Sequence, residues 1–409
     1  MPVVVDPEES LEELRELASS AGAEVVGEVL QHSPEPDPAT LVGRGKVHEI
    51  RAAARSRRAG LVIFDHDLTP TQLRNLEQSL GLKVLDRTQL ILDIFARRAR
   101  SREGQLQVEL AQLTYLLPRL GGRGIALSRL GGGIGTRGPG EQQLESDRRR
   151  VRTRLQRLSQ AIERVRAERA LHRAHRRERQ YLTVALVGYT NAGKSTLFNA
   201  LTAARVAVSA RLFATLDPTV RLLRLASHRR VLASDTVGFI RKLPPHLMAA
   251  FRATLEELED AALLLHVMDA SDPARQQKEA AVEDLLQQMG LAAAPRLRVW
   301  NKIDLLTPEE RKQLSRDSSA LAVSAVTGEG LRELLERADQ ALTQDPLVET
   351  ELQIPAGDGR LLALLHRRGT VLSQHLEGTR IILRACLPRS VEALILSSSP
   401  LAAKIPAHR

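Results

Sequence analysis

The chain has 409 residues, of which 43% are hydrophobic and 26% are charged, a composition typical of a soluble protein with several globular domains. It excludes a disordered or fibrous protein, and the single cysteine, Cys386, excludes an internal disulfide framework or a multi-cysteine zinc site. The formal net charge of +10 favours a polyanionic partner such as nucleic acid.

The N-terminus and the hydropathy pattern predict where the protein is located. The first residues read MPVVVDPEE and lack the basic segment and the apolar core of a signal peptide. No apolar run approaches the roughly 18 to 20 residues that a membrane span needs. We therefore expect a cytoplasmic protein, and a peripheral association with a membrane stays open.

Residues 1–100 alternate helical and strand-like patterns, which predicts an N-terminal α/β domain with a largely parallel sheet. Thr69 and Pro70 supply an N-cap and a first-turn proline for a helix that ends at about Leu80. The other predicted helices are Ser10–Ser20, Gly45–Arg58 and Arg87–Arg98, and the predicted strands are Ala23–Gln31, Leu61–Phe64 and Leu82–Leu85.

Residues 101–180 are predicted to form a helical hairpin. Two segments carry apolar residues at helical or heptad spacing, and the segment between them, Gly121–Gly140, holds 9 of the 26 glycines. The first stripe is Leu106, Leu110, Leu113 and Leu117, and the second is Leu144, Val151, Leu155, Leu158, Ile162 and Val165. The simplest architecture is two helices that pack along these stripes, with a long glycine-rich loop at the tip.

The second helix of this hairpin is strongly basic. Residues 141–180 contain 13 arginines against six acidic residues, so they carry +7 of the net +10. We expect this arm to contact nucleic-acid phosphates, and a solvated helix face without a ligand is the alternative. The candidate contacts are Arg123, Arg129 and Arg137 in the loop and Arg148, Arg149 and Arg150 in the helix.

Residues 181–345 return to an α/β pattern and are long enough to bury a core of their own. The predicted strands are Leu182–Val187, Val231–Ser234, Ala262–Met268, Leu297–Trp300 and Ala320–Val323. Residues 346–409 read as strand, helix, strand, strand and helix, which predicts a small C-terminal α+β domain. The overall fold class is therefore α/β.

A phosphate-binding loop is predicted where the first of these strands ends. Gly188–Ser195 reads GYTNAGKS and matches GxxxxGKS/T between a strand and a helix. Backbone N–H groups of this loop and the helix N-terminus would hold the phosphates. Lys194 would bridge the β- and γ-phosphates, and the Ser195 hydroxyl would ligate Mg²⁺. The candidate nucleotide-binding residues are Gly188, Tyr189, Thr190, Asn191, Ala192, Gly193, Lys194 and Ser195.

A second motif, Asp235-Thr236-Val237-Gly238, also follows a predicted strand. An aspartate at a strand end with a glycine three residues later suits a γ-phosphate sensor. Asp235 would hold Mg²⁺ through water, and the Gly238 N–H would meet the γ-phosphate. We therefore expect Thr236 and Val237 to lie beside the nucleotide as well.

The base is predicted to be guanine. Asn301-Lys302-Ile303-Asp304 follows a predicted strand, and Asp304 can accept two hydrogen bonds from the guanine N1–H and N2–H₂ edge. Adenine cannot offer this edge, so a carboxylate left unpaired would penalise ATP. A further segment, Ser324-Ala325-Val326, also ends a strand, and the Ala325 N–H would meet guanine O6. Four ordered motifs at strand ends predict a GTP-binding domain.

The segment Leu212–Val220, which reads LFATLDPTV, is predicted to be a switch. A threonine here would complete the Mg²⁺ shell when GTP is bound, and Thr215 and Thr219 both qualify by type. The candidate nucleotide contacts of this segment are Phe213, Ala214, Thr215, Leu216 and Asp217.

The residue after DTVG is Phe239, where Ras-like sites carry a glutamine that orients the attacking water. A phenyl side chain offers water no conventional hydrogen bond. We therefore expect slow hydrolysis by the protein alone and a partner that reshapes the switch segments.

Several of these motifs together resemble the HflX family of ribosome-associated GTPases. The similar segments are GYTNAGKSTLFNAL, LFATLDPT, DTVGFIRKLPP and NKID, together with Gln72–Leu120 and the segment GEQQLESDRRR. The resemblance is strong over residues 40–270, good over the rest of the GTPase domain and poor over the last 60 residues.

The resemblance implies an enzyme that hydrolyses GTP to GDP and phosphate, slowly alone and faster on the ribosome. It implies binding to the large ribosomal subunit and its rRNA through the basic hairpin, with a role in ribosome splitting, rescue or biogenesis. It also implies that Thr215 is the switch threonine, so the expected Mg²⁺ ligands are Ser195 and Thr215. The expected catalytic residues are Lys194, Thr215, Asp235 and Gly238, and we expect a monomer.

Two other interpretations stay open. The protein is a signalling GTPase whose main partner is another protein, or an RNA-remodelling ATPase that its GTPase domain regulates. The HflX N-terminal domain has been linked to ATP binding, but Gly43-Arg44-Gly45-Lys46 lacks the spacing of a phosphate-binding loop. Ribosome binding would be sensitive to salt and RNase, whereas ATP hydrolysis at another site would survive Lys194→Ala.

Overall fold

The computed structural model describes residues 6–32, 35–120, 139–178, 182–202, 212–213, 215, 218–242, 258–314, 316–317, 319–342, 345–398 and 402–405. These residues fall into two compact units. The first holds the described residues up to 170 together with 212, 213, 215 and 242, and the second holds the remainder.

The first unit begins with alternating helices and strands. They are α1 (Pro7–Ser20), α2 (Arg44–Ser56), β1 (Leu61–Phe64), α3 (Pro70–Leu80), β2 (Lys83–Asp86), α4 (Arg87–Arg98) and α5 (Arg102–Leu116), followed by a 3-10 turn, Leu117–Leu120. β1 and β2 pair in parallel. Thr69 caps α3 through a reciprocal capping box with Gln72, as the sequence predicted for this helix start.

The predicted strand Ala23–Gln31 is wrong, because this segment has no regular secondary structure. Its Val25 and Val26 side chains are 37% and 44% exposed. The Val26 carbonyl accepts a hydrogen bond from Arg57 Nη1 at 3.1 Å, so a side chain engages the oxygen that a neighbouring strand would use. A segment with an apolar alternating pattern forms a strand only where a neighbouring strand can accept and donate its backbone hydrogen bonds.

A second helix, α6 (Pro139–Glu178), follows α5 in the linker region. Arg154 of α6 donates from Nε and Nη2 to the two carboxylate oxygens of Glu109 in α5, at 2.7 and 2.8 Å. Leu158 and Ile162 are buried, as expected for the heptad stripe. The loop between the helices, including Arg123, Arg129 and Arg137, lies outside the described residues.

The predicted stripe on α5 differs from the face that the structure buries. The leucines of the stripe are half-buried, whereas Val108, Ala111 and Tyr115 are buried. Tyr115 donates from its hydroxyl to Asp86 Oδ2 at 2.7 Å, so α5 packs through this face against the end of β2. The spacing of apolar residues predicted the helix correctly. It did not predict the buried face, because the burial of Tyr115 depends on its hydrogen bond to Asp86 and not on a repeating apolar pattern.

The second unit begins with a six-stranded sheet. Its elements are β3 (Thr183–Val187), α7 (Lys194–Thr202), β4 (Thr219–Arg224), β5 (Arg230–Asp235), β6 (Leu263–Asp269), α8 (Arg275–Gln288), β7 (Arg296–Asn301), a 3-10 turn (Ile303–Leu305), α9 (Pro308–Leu314), β8 (Ala320–Ala322) and α10 (Leu331–Ala341). The strand order is β4-β5-β3-β6-β7-β8, and all neighbours are parallel except β4 and β5. This topology confirms the predicted α/β fold of a P-loop GTPase. The sequence analysis missed β4, an edge strand whose first two residues, Thr219 and Val220, are the last two of the predicted switch.

A four-stranded antiparallel sheet closes the second unit. Its elements are β9 (Leu347–Pro355), α11 (Gly359–Arg368), β10 (Thr370–Glu377), β11 (Arg380–Pro388), α12 (Arg389–Ser398) and β12 (Ala403–Ile405). The strand order is β10-β11-β9-β12, and residues of both helices join the buried cluster around Leu383. β12 adds one strand to the predicted order. In the part of the chain that the structure describes, no helix has both the length and the apolar character of a membrane span.

Candidate nucleotide-binding site

The loop Gly188–Ser195 connects the fully buried strand β3 to α7. Gly188 has φ +151°, and a Cβ at this position would lie 2.1 Å from the Val267 carbonyl oxygen of β6. The tight exit from the sheet therefore requires glycine. Asn191 has φ +63°, a left-handed conformation that asparagine tolerates better than most residues. The sequence GYTNAGKS thus forms the tight strand-to-helix loop that phosphate binding needs.

Lys194 lies buried inside this loop. Its ammonium donates hydrogen bonds to the Gly188 carbonyl at 3.1 Å and to the Tyr189 carbonyl at 2.7 Å. Burial lowers the pKa of Lys194 to about 8, and the negative charge of Asp235 opposes this shift. A buried cation held by two carbonyl dipoles suits a polyphosphate ligand, because the phosphate charge would favour the protonated form.

Ser195 and Asp235, both predicted to associate with Mg²⁺, are in contact. Ser195 Oγ donates to Asp235 Oδ2 at 2.7 Å, and Asp235 is fully buried at the end of β5, the strand beside β3. A hydroxyl and a carboxylate are hard oxygen ligands of the kind that Mg²⁺ prefers. Behind them, Thr236 Oγ1 donates to the Leu186 carbonyl at 2.5 Å and fixes the start of the DTVG segment.

The DTVG segment is hydrogen-bonded to the phosphate loop through Phe239. The Phe239 N–H donates to the Gly188 carbonyl at 3.0 Å, and the Thr190 N–H donates to the Phe239 carbonyl at 2.7 Å. Gly238 packs closely on the loop, since a Cβ there would lie 2.9 Å from Thr190 Cα and 3.0 Å from Lys194 Nζ. Val237 and the Phe239 side chain are buried. The structure thus brings Gly238 to the predicted phosphate site and turns Phe239 into the interior.

Asn301 joins the base-recognition motif to the phosphate loop. Its Nδ2 donates to the Ala192 carbonyl at 3.0 Å, and its Oδ1 accepts the Ala325 N–H at 3.0 Å. In the structure Asn301 receives this N–H, and the donation from Ala325 to guanine O6 stays a prediction. Sequence reasoning missed this bond because an asparagine in NKID gives no signal of its partner.

The other residues of the two base-recognition motifs lie beside Asn301. Ser324 Oγ donates to Asp304 Oδ1 at 2.6 Å, and Lys302 pairs with Asp269 at 2.6 Å. Ile303 is buried and Val326 is 77% exposed, and their contacts with the nucleotide stay predictions. The structure thus brings Asp304 and Ser324 together beside Asn301, which contacts the predicted phosphate loop.

The predicted switch is described in part. Leu212 and Phe213 are buried in the first unit, where Phe213 packs edge-on against Phe95 with ring centroids 4.5 Å apart. Thr215 is half-buried, and Thr219 is the first residue of β4, opposite Asp235. Ala214, Leu216 and Asp217 lie outside the described residues.

Sequence reasoning missed a charged cluster in the first unit that contains Lys242, four residues after Gly238. Lys242 Nζ donates to Asp65 Oδ2 at 2.6 Å and to Ser10 Oγ at 2.8 Å. Arg87, which is 2% exposed, donates to Asp65 at 2.7 Å and also pairs with Glu13. These cations hold the pKa of the Asp65 carboxyl below its usual value although burial opposes the shift. In the sequence, each of these residues is a single charge in a separate segment, so no local pattern predicts that they form a cluster.

Comparison with known proteins identifies the family of this protein. The profile "GTP-binding GTPase N-terminal" matches residues 8–96, "GTP-binding GTPase Middle Region" matches 98–176, and "50S ribosome-binding GTPase" matches 183–302. The GTPase HflX of Caldanaerobacter subterraneus is 48% identical over 93% of this chain and 88% of its own. The chain belongs to the HflX family of GTPases.

A second HflX relative agrees. GTPase HflX of Escherichia coli is 45% identical over 90% of this chain and 87% of its own. A solved GDP complex of a GTP-binding protein from Sulfolobus solfataricus is 24% identical over 82% of this chain and 96% of its own, with a TM-score of 0.44. Membership confirms the predicted family, and the protein is a GTPase that binds guanine nucleotides.

Proposed function

We propose that this HflX GTPase acts on the large ribosomal subunit, where it binds rRNA through its basic helical hairpin and takes part in ribosome splitting, rescue or biogenesis. Hydrolysis of GTP to GDP and phosphate is slow in the protein alone and is stimulated by the ribosome. A cytoplasmic location follows from this partner. The similarity of this chain to HflX GTPases and the description of the matched profile as a 50S ribosome-binding GTPase support the ribosome as the partner.

The charge of α6 carries the proposal. Three of its described arginines have acidic partners: Arg150 with Asp147, Arg154 with Glu109 and Arg166 with Glu163. Within residues 145–168, whose side chains the structure describes, the arginines without an ion pair are Arg148, Arg149, Arg152, Arg157 and Arg164. Unpaired like charges on one helix repel each other, so a polyanion that binds this face would be strongly favoured.

In the nucleotide site, the protein's own residues would divide the work. Lys194 would hold the β- and γ-phosphates, and the Gly238 N–H would donate to a γ-phosphate oxygen. Ser195 and Thr215 would ligate Mg²⁺, Asp235 would hold it through water, and this metal would neutralise the phosphate charge. Asp304 would accept hydrogen bonds from the guanine edge, while Asn301 keeps this motif attached to the phosphate loop.

The described elements also support a division of the chain into functional regions. We assign residues 1–100 to an N-terminal α/β domain, 101–180 to the basic hairpin, 181–345 to the GTP-binding domain and 346–409 to a small α+β domain. In this division the protein acts as a monomer, with the hairpin as the part that contacts rRNA.

The deciding experiment measures GTP turnover with and without purified large ribosomal subunits, at low and high salt. We expect stimulation of about tenfold or more that fades at high salt, since phosphate contacts release counterions. Replacing Arg149, Arg152, Arg157 and Arg164 by glutamine should remove the stimulation and leave the intrinsic rate unchanged.

The matched control replaces Arg332, Arg367, Arg368 and Arg380, four arginines of the second unit outside the hairpin, by glutamine. Equal loss in both variants would show that net charge, not the α6 face, drives the effect. Stimulation that is absent, or that survives RNase and high salt, would contradict the ribosome proposal and favour a protein partner.

A further inference from the structure

The phosphate loop contains a buried hydroxyl whose hydrogen bonds the structure does not satisfy. Thr190 is 6% exposed, and its Oγ1 has no hydrogen-bond partner among the described residues. Burying a hydroxyl without a partner is unfavourable, so such a group in a native site calls for an explanation. Three other polar side chains at this loop, those of Lys194, Ser195 and Asn301, form hydrogen bonds.

Thr190 lies where the γ-phosphate is expected. A Cβ on Gly238 would lie 2.9 Å from both Cα and Cγ2 of Thr190 and 3.0 Å from Lys194 Nζ. Gly238 and Lys194 carry the two groups assigned to the γ-phosphate, and Thr190 packs against Gly238 on the side that also faces Lys194 Nζ. Its methyl carbon now faces Gly238, and a rotation of about 120° around χ1 would bring the hydroxyl to that position.

The position that supplies the water-orienting glutamine in Ras-like sites is not available here. Phe239 is 5% exposed, its N–H donates to the Gly188 carbonyl and its own carbonyl accepts the Thr190 N–H. Both backbone groups are therefore in use, and the side chain has no polar atom. Another group near the γ-phosphate must orient the attacking water, and it must be a hydrogen-bond acceptor for that water.

We propose that the Thr190 hydroxyl is a catalytic residue that positions the attacking water in place of this glutamine. Oγ1 accepts a hydrogen bond from the water, and the hydroxyl donates a hydrogen bond to a γ-phosphate oxygen.

The chemical step leaves Thr190 unchanged. The water oxygen forms a bond to the γ-phosphorus, and the bond from that phosphorus to the bridging oxygen breaks, so that GDP leaves with the electron pair. The proton of the water passes to a γ-phosphate oxygen, which yields GDP and inorganic phosphate. Threonine acts only through hydrogen bonds, and it remains protonated throughout because its hydroxyl is a far weaker acid than the phosphate.

The test compares Thr190→Val, which removes the hydroxyl at nearly constant shape, with Thr190→Ser, which keeps it. Single-turnover hydrolysis is measured with enzyme in excess and without ribosomes, so the outcome does not depend on the proposed partner. We expect Thr190→Val to lower the rate roughly 10- to 100-fold, while the affinities for GTP and GDP change by less than about threefold. Thr190→Ser should stay within about threefold of the unchanged protein.

A second readout separates catalysis from packing. Binding of GDP with aluminium fluoride, a mimic of the transferred phosphoryl group, should weaken in Thr190→Val while GDP binding alone does not. Thr183→Val is the matched control, because Thr183 is a buried threonine of β3 outside the site. Its rate should not change.

Two results would overturn the proposal. Thr190→Val hydrolysing GTP as fast as Thr183→Val would show that the hydroxyl does no work, and Thr190→Ser losing as much as Thr190→Val would assign the effect to packing. Thr190→Ala deletes the hydroxyl without a branched carbon. It provides the same comparison if the valine variant does not bind GTP.

Discussion

The nucleotide-binding loops and the arginine-rich helix α6 differ in how their charges are satisfied. In the loops, Lys194 and Asp235 are buried, Lys194 donates to the Tyr189 carbonyl of its own loop, and Asp235 accepts from the Ser195 hydroxyl. On α6, Arg149 and Arg152 are exposed and have no acidic partner among the described residues. One site is organised before its ligand arrives, whereas the other offers charge without fixed geometry.

This difference has a physical consequence for specificity. A preorganised site discriminates by geometry, because a wrong ligand leaves buried polar groups unpaired. An exposed basic face binds any polyphosphate of suitable shape, and its affinity depends on ionic strength. We therefore expect substitutions in the loops to produce large, ligand-specific effects and substitutions on α6 to produce graded, salt-dependent ones.

The largest effect should come from Lys194→Ala. Loss of a charged contact to two phosphates should reduce GTP affinity by about 100-fold or more, as measured by titration with a fluorescent GTP analogue. Lys312→Ala on α9 is the control. GTP hydrolysis at an unchanged rate in Lys194→Ala would contradict the preorganised site.

Asp304→Asn should change which base is bound. The asparagine Oδ1 can still accept the Ser324 hydroxyl, so the local structure is retained. The guanine edge loses its carboxylate acceptor, and we expect GTP to bind about 100-fold more weakly, with xanthosine triphosphate now preferred. Competition binding with both nucleotides measures this shift. An unchanged preference for GTP would remove Asp304 from base recognition.

The two regions also differ in how far the sequence predicts them. GYTNAGKS and NKID predicted their positions at strand ends because each motif combines a fixed spacing with a required residue type. The contacts that join them, such as the Asn301 amide to Ala192 and Ala325, were not predictable because they connect residues far apart in sequence. The same holds for the cluster of Asp65, Arg87 and Lys242.

Elements without a required residue type were less predictable. The alternation in Ala23–Gln31 predicted a strand, yet strand formation depends on a free neighbouring edge, which local sequence does not encode. β4 was missed because its first two residues belong to the predicted switch, and the segment was interpreted from that motif. For α6, spacing predicted the helix and the buried Leu158, but no local pattern predicts the pairing of Arg154 with Glu109, because Glu109 lies on another helix.

The pH dependence of stability should distinguish the buried lysine from exposed ones. The pKa of Lys194 falls from 10.5 to about 8 on folding, so between these values the unfolded chain binds more protons than the folded one. Its contribution to the free energy of unfolding therefore rises with pH in this window, by at most about 1.4 kcal/mol per pH unit.

Lys194→Met isolates this contribution, because methionine is neutral at every pH. The melting temperature of Lys194→Met should exceed that of the unchanged protein most clearly below pH 8, and the gap should narrow towards pH 10. A gap that is constant with pH would mean that Lys194 keeps an ordinary pKa. The phosphate site would then be no better organised than the α6 surface.

The smallest effects should be those of single arginines on α6. If Arg149, Arg152, Arg157 and Arg164 each contact one phosphate, each replacement by glutamine should reduce the slope of log affinity against log salt by about 0.7 to 0.9.

Arg154→Gln is the matched control, since this guanidinium already pairs with Glu109. Its slope should stay near that of the unchanged protein. If Arg154→Gln lowers the slope as much as the unpaired arginines do, then pairing within the protein does not decide which charges meet the ligand. The contrast between organised and unorganised charge would then fail at α6.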